Sequence, residues 1–280
     1  MLQLHVEVEQ ADIKAVELLA DSSLSRGQLK KAMKNGALWL ERKGKVKRLR
    51  RADRKLLRCD VLHLYFDPVI QESVPPPAVL IADEGEYSVW FKPAGMYSQG
   101  SKWGDHCSIS RWAEQHLQPQ RNAFIVHRLD RAASGLILLA HGKGAAAGLS
   151  ALFRQRRIAK QYCVRVRGCF PTELTCLNSP LDGRPAVSHV RVLDVDPDAG
   201  SSLLAVRIET GRKHQIRRHL ADAGLPVVGD RLYGEEKSGT DNLQLQAVRL
   251  EFDCPLTAVH RCYVLPAELL LDARCLELPG

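Results

Sequence analysis

The sequence predicts an α+β protein in two parts: a small mixed module over residues 1–66, and a larger domain over 78–280. A proline-rich connector at 67–77 joins them. Three observations carry this reading. Period-two alternation of apolar residues recurs in short runs such as "DVLHLYF", as half-buried strands require. Helical spacing appears in other, separate runs such as "LSRGQLKKAMK". Between the parts lies "DPVIQESVPPPAV", where Pro75, Pro76 and Pro77 cannot continue a helix or a central strand and favour an extended chain.

Taken in order, Ser25 caps a helix that carries Leu29 and Met33 at i and i+4, and Asn35-Gly36 ends it before a strand at "ALWL". "DVLHLYF" sets Val61, His63 and Tyr65 on one face and Leu62, Leu64 and Phe66 on the other. "YSVWFKPAG" reads as a strand running into a turn. Leu136 to Ala140 reads as a buried strand, although a short apolar run alone also fits a helix. "GAAAGLSALFRQRR" is helical, with basic residues towards the end where the helix dipole favours them. In "QYCVRVRG" the alternation turns Tyr162, Val164 and Val166 to one face and Cys163, Arg165 and Arg167 to the other. "SSLLAVRIET" is a further strand, and Ile216 and Leu220 mark a helix ending near Gly224.

The formal net charge of +8 is unevenly spread. Residues 1–66 carry 15 Lys and Arg against 8 Asp and Glu, while the rest of the chain carries 25 against 24. Ten of the cations fall between Arg42 and Arg58, a density that suits a polyanion such as RNA or DNA. A solvated face is the plainer alternative. No apolar run reaches the roughly 20 residues of a membrane span and "MLQLHVEVEQ" lacks the order of a signal peptide, so a cytoplasmic protein with no membrane partner is expected. The eight cysteines show no CxxC pair, so a zinc ribbon or disulfide scaffold is not expected and most should be small core residues.

Three polar clusters interrupt the apolar pattern: "HRLD" at 127–130, Lys160 with Tyr162, and "TGRKHQIR" at 210–217. Taken singly, "HRLD" fits a solvated charged turn as well as a catalytic loop. His214 and His219 are five apart, not the four that align ligands on a helix, and "DHC" at 105–107 stands alone, so no metal is expected. No phosphate-cradling glycine loop suggests ATP or NAD.

Together, "HRLDRAASGLILLA", "KQYCVRVRG", "TGRKHQIRRHLADAGLPVVGDRLYG" and "LQLQAVRLEFDCPLT" resemble the ordered motifs of the RluA-type pseudouridine synthases, from about Trp90 to the C-terminus. "LSRGQLKKAMKNGALWL" resembles an S4-type RNA-binding module. The resemblance implies a catalytic domain with a largely antiparallel mixed sheet, flanking helices and a central cleft. It implies isomerisation of uridine within RNA, without metal or organic cofactor, by one carboxylate, here Asp130. Such chemistry needs an ionised oxygen that can attack C1′ or C6, or remove a C2′ proton.

By the same resemblance Arg217 is the cation beside that carboxylate, and its planar fork can pair carboxylate oxygens. Tyr162 stacks on the uracil and Ile216 packs on its other side. Arg128 helps fill the space left by the everted base, and Arg212, Lys213 and His214 neutralise phosphates. His127 either contacts the RNA backbone or braces the loop. The chain departs from the family pattern at Ala133, where a Thr is usual, and at Phe91, where an Asn is usual. The expected partner is ribosomal RNA ahead of transfer RNA, and the expected state is a monomer. The rival readings are a non-catalytic RNA-binding or ribosome-assembly factor, and an N-glycosidase that would release free uracil.

Overall fold

The computed structural model describes residues 1–234 and 242–277. The chain divides into two compact units: Met1–Pro75 with Gln99–His116, and Pro76–Ser98 with Leu117–Gly280.

The first unit holds strands β1 (Leu2–Glu7), β2 (Leu38–Arg42), β3 (Lys45–Arg48) and β4 (Val61–Phe66), in the antiparallel order β1-β4-β2-β3. Helices α1 (Ala15–Leu18), α2 (Arg26–Lys34), α3 (Pro68–Glu72) and α4 (Ile109–His116) complete it. The Ser25 hydroxyl accepts from the Gln28 amide while the Gln28 side chain accepts from the Ser25 amide. This reciprocal pair satisfies two of the donors that a helix start leaves open. Leu29 and Met33 then pack with Leu62, Leu64 and Phe66, which form the buried face of β4.

Two features of this unit differ from the sequence reading. Residues 68–72 form a short helix rather than an extended connector, because the Asp67 carboxylate caps it from the amides of Val69 and Ile70 and proline suits its first position. Residues 99–116 belong here although they are remote in sequence. Arg48 and Arg50 both pair with Asp105, Asn35 accepts from the Asp105 amide, and Gln71 donates to the carbonyl of Trp103. Removing residues 1–66 would therefore strip partners from this second segment, so substitution is the cleaner probe of the basic block.

Arg42 is also committed internally, in a two-pronged pair with Asp60, but Lys43, Lys45 and Lys47 on the β2–β3 hairpin are exposed. Replacing these three by Gln should leave thermal stability unchanged and weaken RNA binding in a salt-dependent way. The slope of log Kd against log salt should fall by about 2 for three neutralised contacts. An unaltered slope in an anisotropy titration would make the hairpin a solvated face.

The second unit is built on ten strands: β5 (Val79–Asp83), β6 (Tyr87–Lys92), β7 (Phe124–Ile125), β8 (Ser134–Ala140), β9 (Ala159–Arg167), β10 (Cys176–Leu177), β11 (Ser188–Asp196), β12 (Ser201–Ile208), β13 (Leu245–Asp253) and β14 (His260–Val264). Helices α5 (Lys143–Arg154) and α6 (Gln215–Asp222) flank the sheet. Its order is β10-β11-β12-β9-β13-β8-β6-β5, with β14 on β13 and β7 on β8, and among the described pairings only β8–β13 is parallel. The unit is α+β, as the sequence predicts, with the largely antiparallel sheet that the resemblance implies.

Both sheet faces are buried, which is why β8 reads as an unbroken apolar run rather than an alternation. One face joins Leu136, Leu138 and Cys163 to Leu149 and Leu152 of α5. The other joins Tyr162, Val164 and Val166 to Ile216 and Leu220 of α6. The alternation in β9 therefore reports two cores.

The expectation that most cysteines are small core residues is corrected. Cys163 and Cys275, separated by 112 residues, form a disulfide between β9 and the C-terminal 3-10 segment Ala273–Glu277. Cys59, Cys169, Cys176 and Cys262 are exposed, so most cysteines are not core residues. Pairing over such a distance leaves no local spacing to detect. Among the described residues no helix is long and apolar enough to cross a membrane.

Candidate active site

The loop carrying Asp130 enters β8 at Ser134 and is fixed at both ends. Gly135 sits at φ 114°, and a Cβ there would collide with the backbone of Ala247 on β13, so the close parallel approach requires glycine. At the other end, Ser98 Oγ donates to the carbonyl of Leu129 at 2.6 Å and accepts from its amide at 3.0 Å.

Lys92 is the less expected brace. Fully buried at the end of β6, its ammonium donates to the carbonyls of Ala133 (2.7 Å), Met96 (2.9 Å), Pro93 (3.1 Å) and Arg131 (3.4 Å). One side chain thus ties the "KPAG" turn to the residues just after Asp130. Burial pushes Lys92 down to about 7, offset in part by the charge of Asp130.

Because this value lies below the ordinary 10.5, the folded state disfavours the proton that the unfolded chain keeps. Stability should therefore rise between about pH 7 and 10.5, where the unfolded chain still holds a proton that the folded one has released, and flatten below 7. Lys92→Met removes this dependence and leaves buried carbonyls unsatisfied, at about 1–3 kcal/mol each. Urea unfolding of both proteins across this range checks the sign. Parallel curves would contradict it.

A cavity of about 630 Å³ opens beside the loop, within the range of small-molecule sites. It brings Asp130, Tyr162, Ile216 and Arg217 together, although they lie far apart in sequence. The Asp130 side chain is 27% exposed, and one oxygen accepts from Arg217 Nη1 at 3.1 Å. The other oxygen lies 3.7 Å from Nε2 of His214.

Arg217 is itself held from behind. Its Nε and Nη2 donate to the two oxygens of Asp230, both at 2.7 Å. The Asp230 side chain is fully buried and also accepts from the amides of Leu232 and Tyr233. One guanidinium therefore bridges two carboxylates. Burial works against each charge, yet the mutual hydrogen bonds outweigh it, raising Arg217 above its ordinary value and holding Asp230 below the usual carboxylate value. Asp230 thus fixes the fork, and the fork's remaining nitrogen meets Asp130.

Tyr162 is 9% exposed on the cavity side of β9, and burial, with the charge of Asp130, raises its phenol above the ordinary value. His214 begins α6 at φ 53°, with Nδ1 2.9 Å from the Tyr233 hydroxyl. Burial lowers its pKa, Asp130 opposes this, and Arg217 and Lys213 add to it.

The residues read from the sequence fall into two sets. Arg128, Arg212, Lys213 and His214 line the cavity with the four residues above, Arg128 and Lys213 being exposed. His127 lines the cavity too and is held in the loop: its Nε2 accepts from the Leu138 amide at 2.9 Å and its ring stacks on Phe153 at 4.2 Å. Burial, followed by the charge of Lys160, pushes His127 down to about 3, so it is neutral. Sequence reasoning assigned no role to Asp230 or Lys92, although both stand inside quoted motifs, "VVGDRLYG" and "FKPAG".

The charged side chains that line the cavity are mainly basic, with the carboxylate of Asp130 beside the buried Arg217 and the buried Tyr162. Residues 86–222 match the model of a family described as RNA pseudouridylate synthase. The chain is 33% identical over 199 residues to a tRNA pseudouridine synthase C of Haemophilus ducreyi, covering 59% of this chain and 81% of that protein. It is 28% identical over 270 residues to a ribosomal large subunit pseudouridine synthase C of Vibrio vulnificus, covering 83% and 84%. It is also 35% identical over 200 residues to an uncharacterized RNA pseudouridine synthase of Chloroflexus aurantiacus, spanning 61% of this chain and 62% of that protein's length. Among solved structures, human RNA pseudouridylate synthase domain containing 1 shares the fold at a TM-score of 0.58 and 21% identity, covering 72% of this chain and 90% of that one. The chain belongs to the RNA pseudouridylate synthase family, enzymes that isomerise uridine within RNA.

Proposed function

We propose that Asp130 is the catalytic carboxylate, that Arg217 positions it, that Tyr162 and Ile216 sandwich the target uracil, and that the substrate is ribosomal RNA. The observation that carries this is the convergence of Asp130, Tyr162 and Arg217 on one cavity, with an Arg217–Asp130 bond of 3.1 Å. A protein that only binds RNA has no need of a carboxylate held in a basic pocket, where it repels phosphate.

The base must leave the helix stack to reach this carboxylate, which costs a few kcal/mol unless it already lies in a loop. Arg128, exposed at the cavity, suits the vacated space, and Arg212, Lys213 and His214 suit the flanking phosphates. In the reaction the N1–C1′ bond breaks, the uracil turns within the pocket, and a C5–C1′ bond forms while C5 loses a proton and N1 gains one. RNA mass is unchanged. Whether the carboxylate attacks C1′, attacks C6 or takes the C2′ proton, it must be ionised and held still, as a fixed guanidinium provides.

The exposed cations of the first unit suit a large folded RNA, and we read "LSRGQLKKAMKNGALWL" as an S4-like module that supplies sequence-independent affinity. The likeness to a ribosomal enzyme over 83% of this chain and 84% of that one favours ribosomal RNA, while the Haemophilus relative keeps transfer RNA as the second reading. Mapping pseudouridines in total RNA from cells with and without the protein decides this. Sites lost from large-subunit ribosomal RNA are expected. Sites lost only from transfer RNA would overturn the ribosomal assignment.

A further inference from the structure

The turn between α5 and β9, "FRQRRIAK", places Arg154, Arg156 and Lys160 on the cavity lining. None of the three makes a side-chain hydrogen bond or ion pair among the described residues. Arg154 and Arg156 are exposed and Lys160 is partly buried, so the lysine alone carries a desolvation cost that a bound anion would offset.

Two details argue against an ordinary solvated helix end. The first is backbone conformation. After the cap at Gln155, the Arg156 amide bonds the Phe153 carbonyl and the Arg157 amide bonds that of Leu152, the Schellman pattern, which puts Arg156 at φ 59°. Glycine is the residue that suits this position, and here the strained conformation is filled by a cation that lines the cavity.

The second is Lys160, which is partly buried and lies two residues before Tyr162 on the same face of β9, roughly 7 Å along the strand. Burial lowers its pKa, and its charge acts on His127, so it lies on the His127 side of the cavity. The acidic side chain on this stretch of lining, Glu209, is hydrogen-bonded by His189 at 2.6 Å and also feels the charge of Arg156 more weakly.

We propose that Arg154, Arg156 and Lys160 form a phosphate-binding edge that grips the RNA backbone beside the everted uridine, an assignment that rests on the pseudouridine synthase reading of the cavity. The edge holds the strand while Asp130 meets the sugar and base.

The test uses Arg154→Gln, Arg156→Gly and Lys160→Gln in the full chain with two probes. Anisotropy of a fluorescein-labelled oligouridylate, titrated over a range of KCl, should show each variant binding several-fold more weakly. The slope of log Kd against log salt should fall by about 0.7 per cation removed. Tritium release from transcribed ribosomal RNA labelled with [5-³H]uridine should show the loss in KM rather than kcat. Arg156→Gly should hold or raise the melting temperature while it weakens binding, which a purely structural residue would not do.

Slopes equal to wild type in all three variants would overturn the proposal. A fall in kcat with Kd and slope intact for Lys160→Gln would put that lysine on the base and overturn its place in the edge. If the wild type itself released no tritium, the synthase reading on this RNA would fail, and the oligouridylate slopes would still decide the phosphate edge.

Discussion

Asp130→Asn should bind RNA as wild type does and form no measurable pseudouridine, a loss of about 10⁴-fold or more, on the scale of removing a nucleophile that acts as part of a unit. The substitution keeps the shape of the side chain and its contact with Arg217 Nη1, since an amide oxygen also accepts. What disappears is the negative oxygen that can add to carbon or take a proton. Because Asp130 is partly exposed and sits beside a buried cation, losing its charge should not unfold the protein. Unchanged cellular function in an Asp130→Asn strain, with full RNA binding, would instead favour a binding or assembly factor.

Asp230→Asn should have the second largest effect, and on two readouts at once. Its carboxylate is fully buried and carries two of the three hydrogen bonds of the Arg217 fork. Neutralising it leaves most of the guanidinium charge uncompensated in the interior, which costs about 3–5 kcal/mol in other proteins. Turnover should fall by about 10- to 100-fold, the range seen when a group that orients an active-site ligand is removed.

The acid limb gives an independent check of the sign. The folded value of Asp230 lies below the ordinary one, so its contribution is present above the usual carboxylate range and is lost as pH falls through the folded value. The advantage of wild type over Asp230→Asn in urea unfolding should therefore be full at neutral pH and shrink in acid. An advantage constant with pH would place the effect in packing rather than charge.

Much of the fold was legible in the sequence because local chemistry and tertiary packing agree. Ser25, Gln28 and the Asn35-Gly36 stop mark α2 by its own caps, and the alternation in β4 and β9 matches the faces that are buried. That Tyr162 shares a face with Val164 and Val166 followed from that alternation alone. Asp130, Arg217 and Ile216 came from ordered motifs, not from their spacing, since Asp130 and Arg217 lie 87 residues apart.

What stayed hidden depends on distant partners. A lysine after a strand reads as solvent-exposed, and nothing near Lys92 reveals that carbonyls from the 131–133 loop will satisfy its ammonium. Asp230 reads as a turn residue, because the guanidinium that buries it comes from α6. Residues 99–116 join the first unit through Arg48, Arg50 and Gln71, which no composition shift records. His127 carried two readings, and the Leu138 amide at its Nε2 favours the brace.

The central claim, that Asp130 turns a uridine into its C-glycoside isomer without releasing the base, is tested most directly by nucleoside analysis. Transcribed ribosomal RNA would be incubated with wild type or Asp130→Asn, digested to nucleosides, and assayed for pseudouridine and free uracil. The account predicts pseudouridine with wild type alone, no free uracil, and unchanged RNA mass. Free uracil with an abasic site, or pseudouridine made by Asp130→Asn, would contradict it.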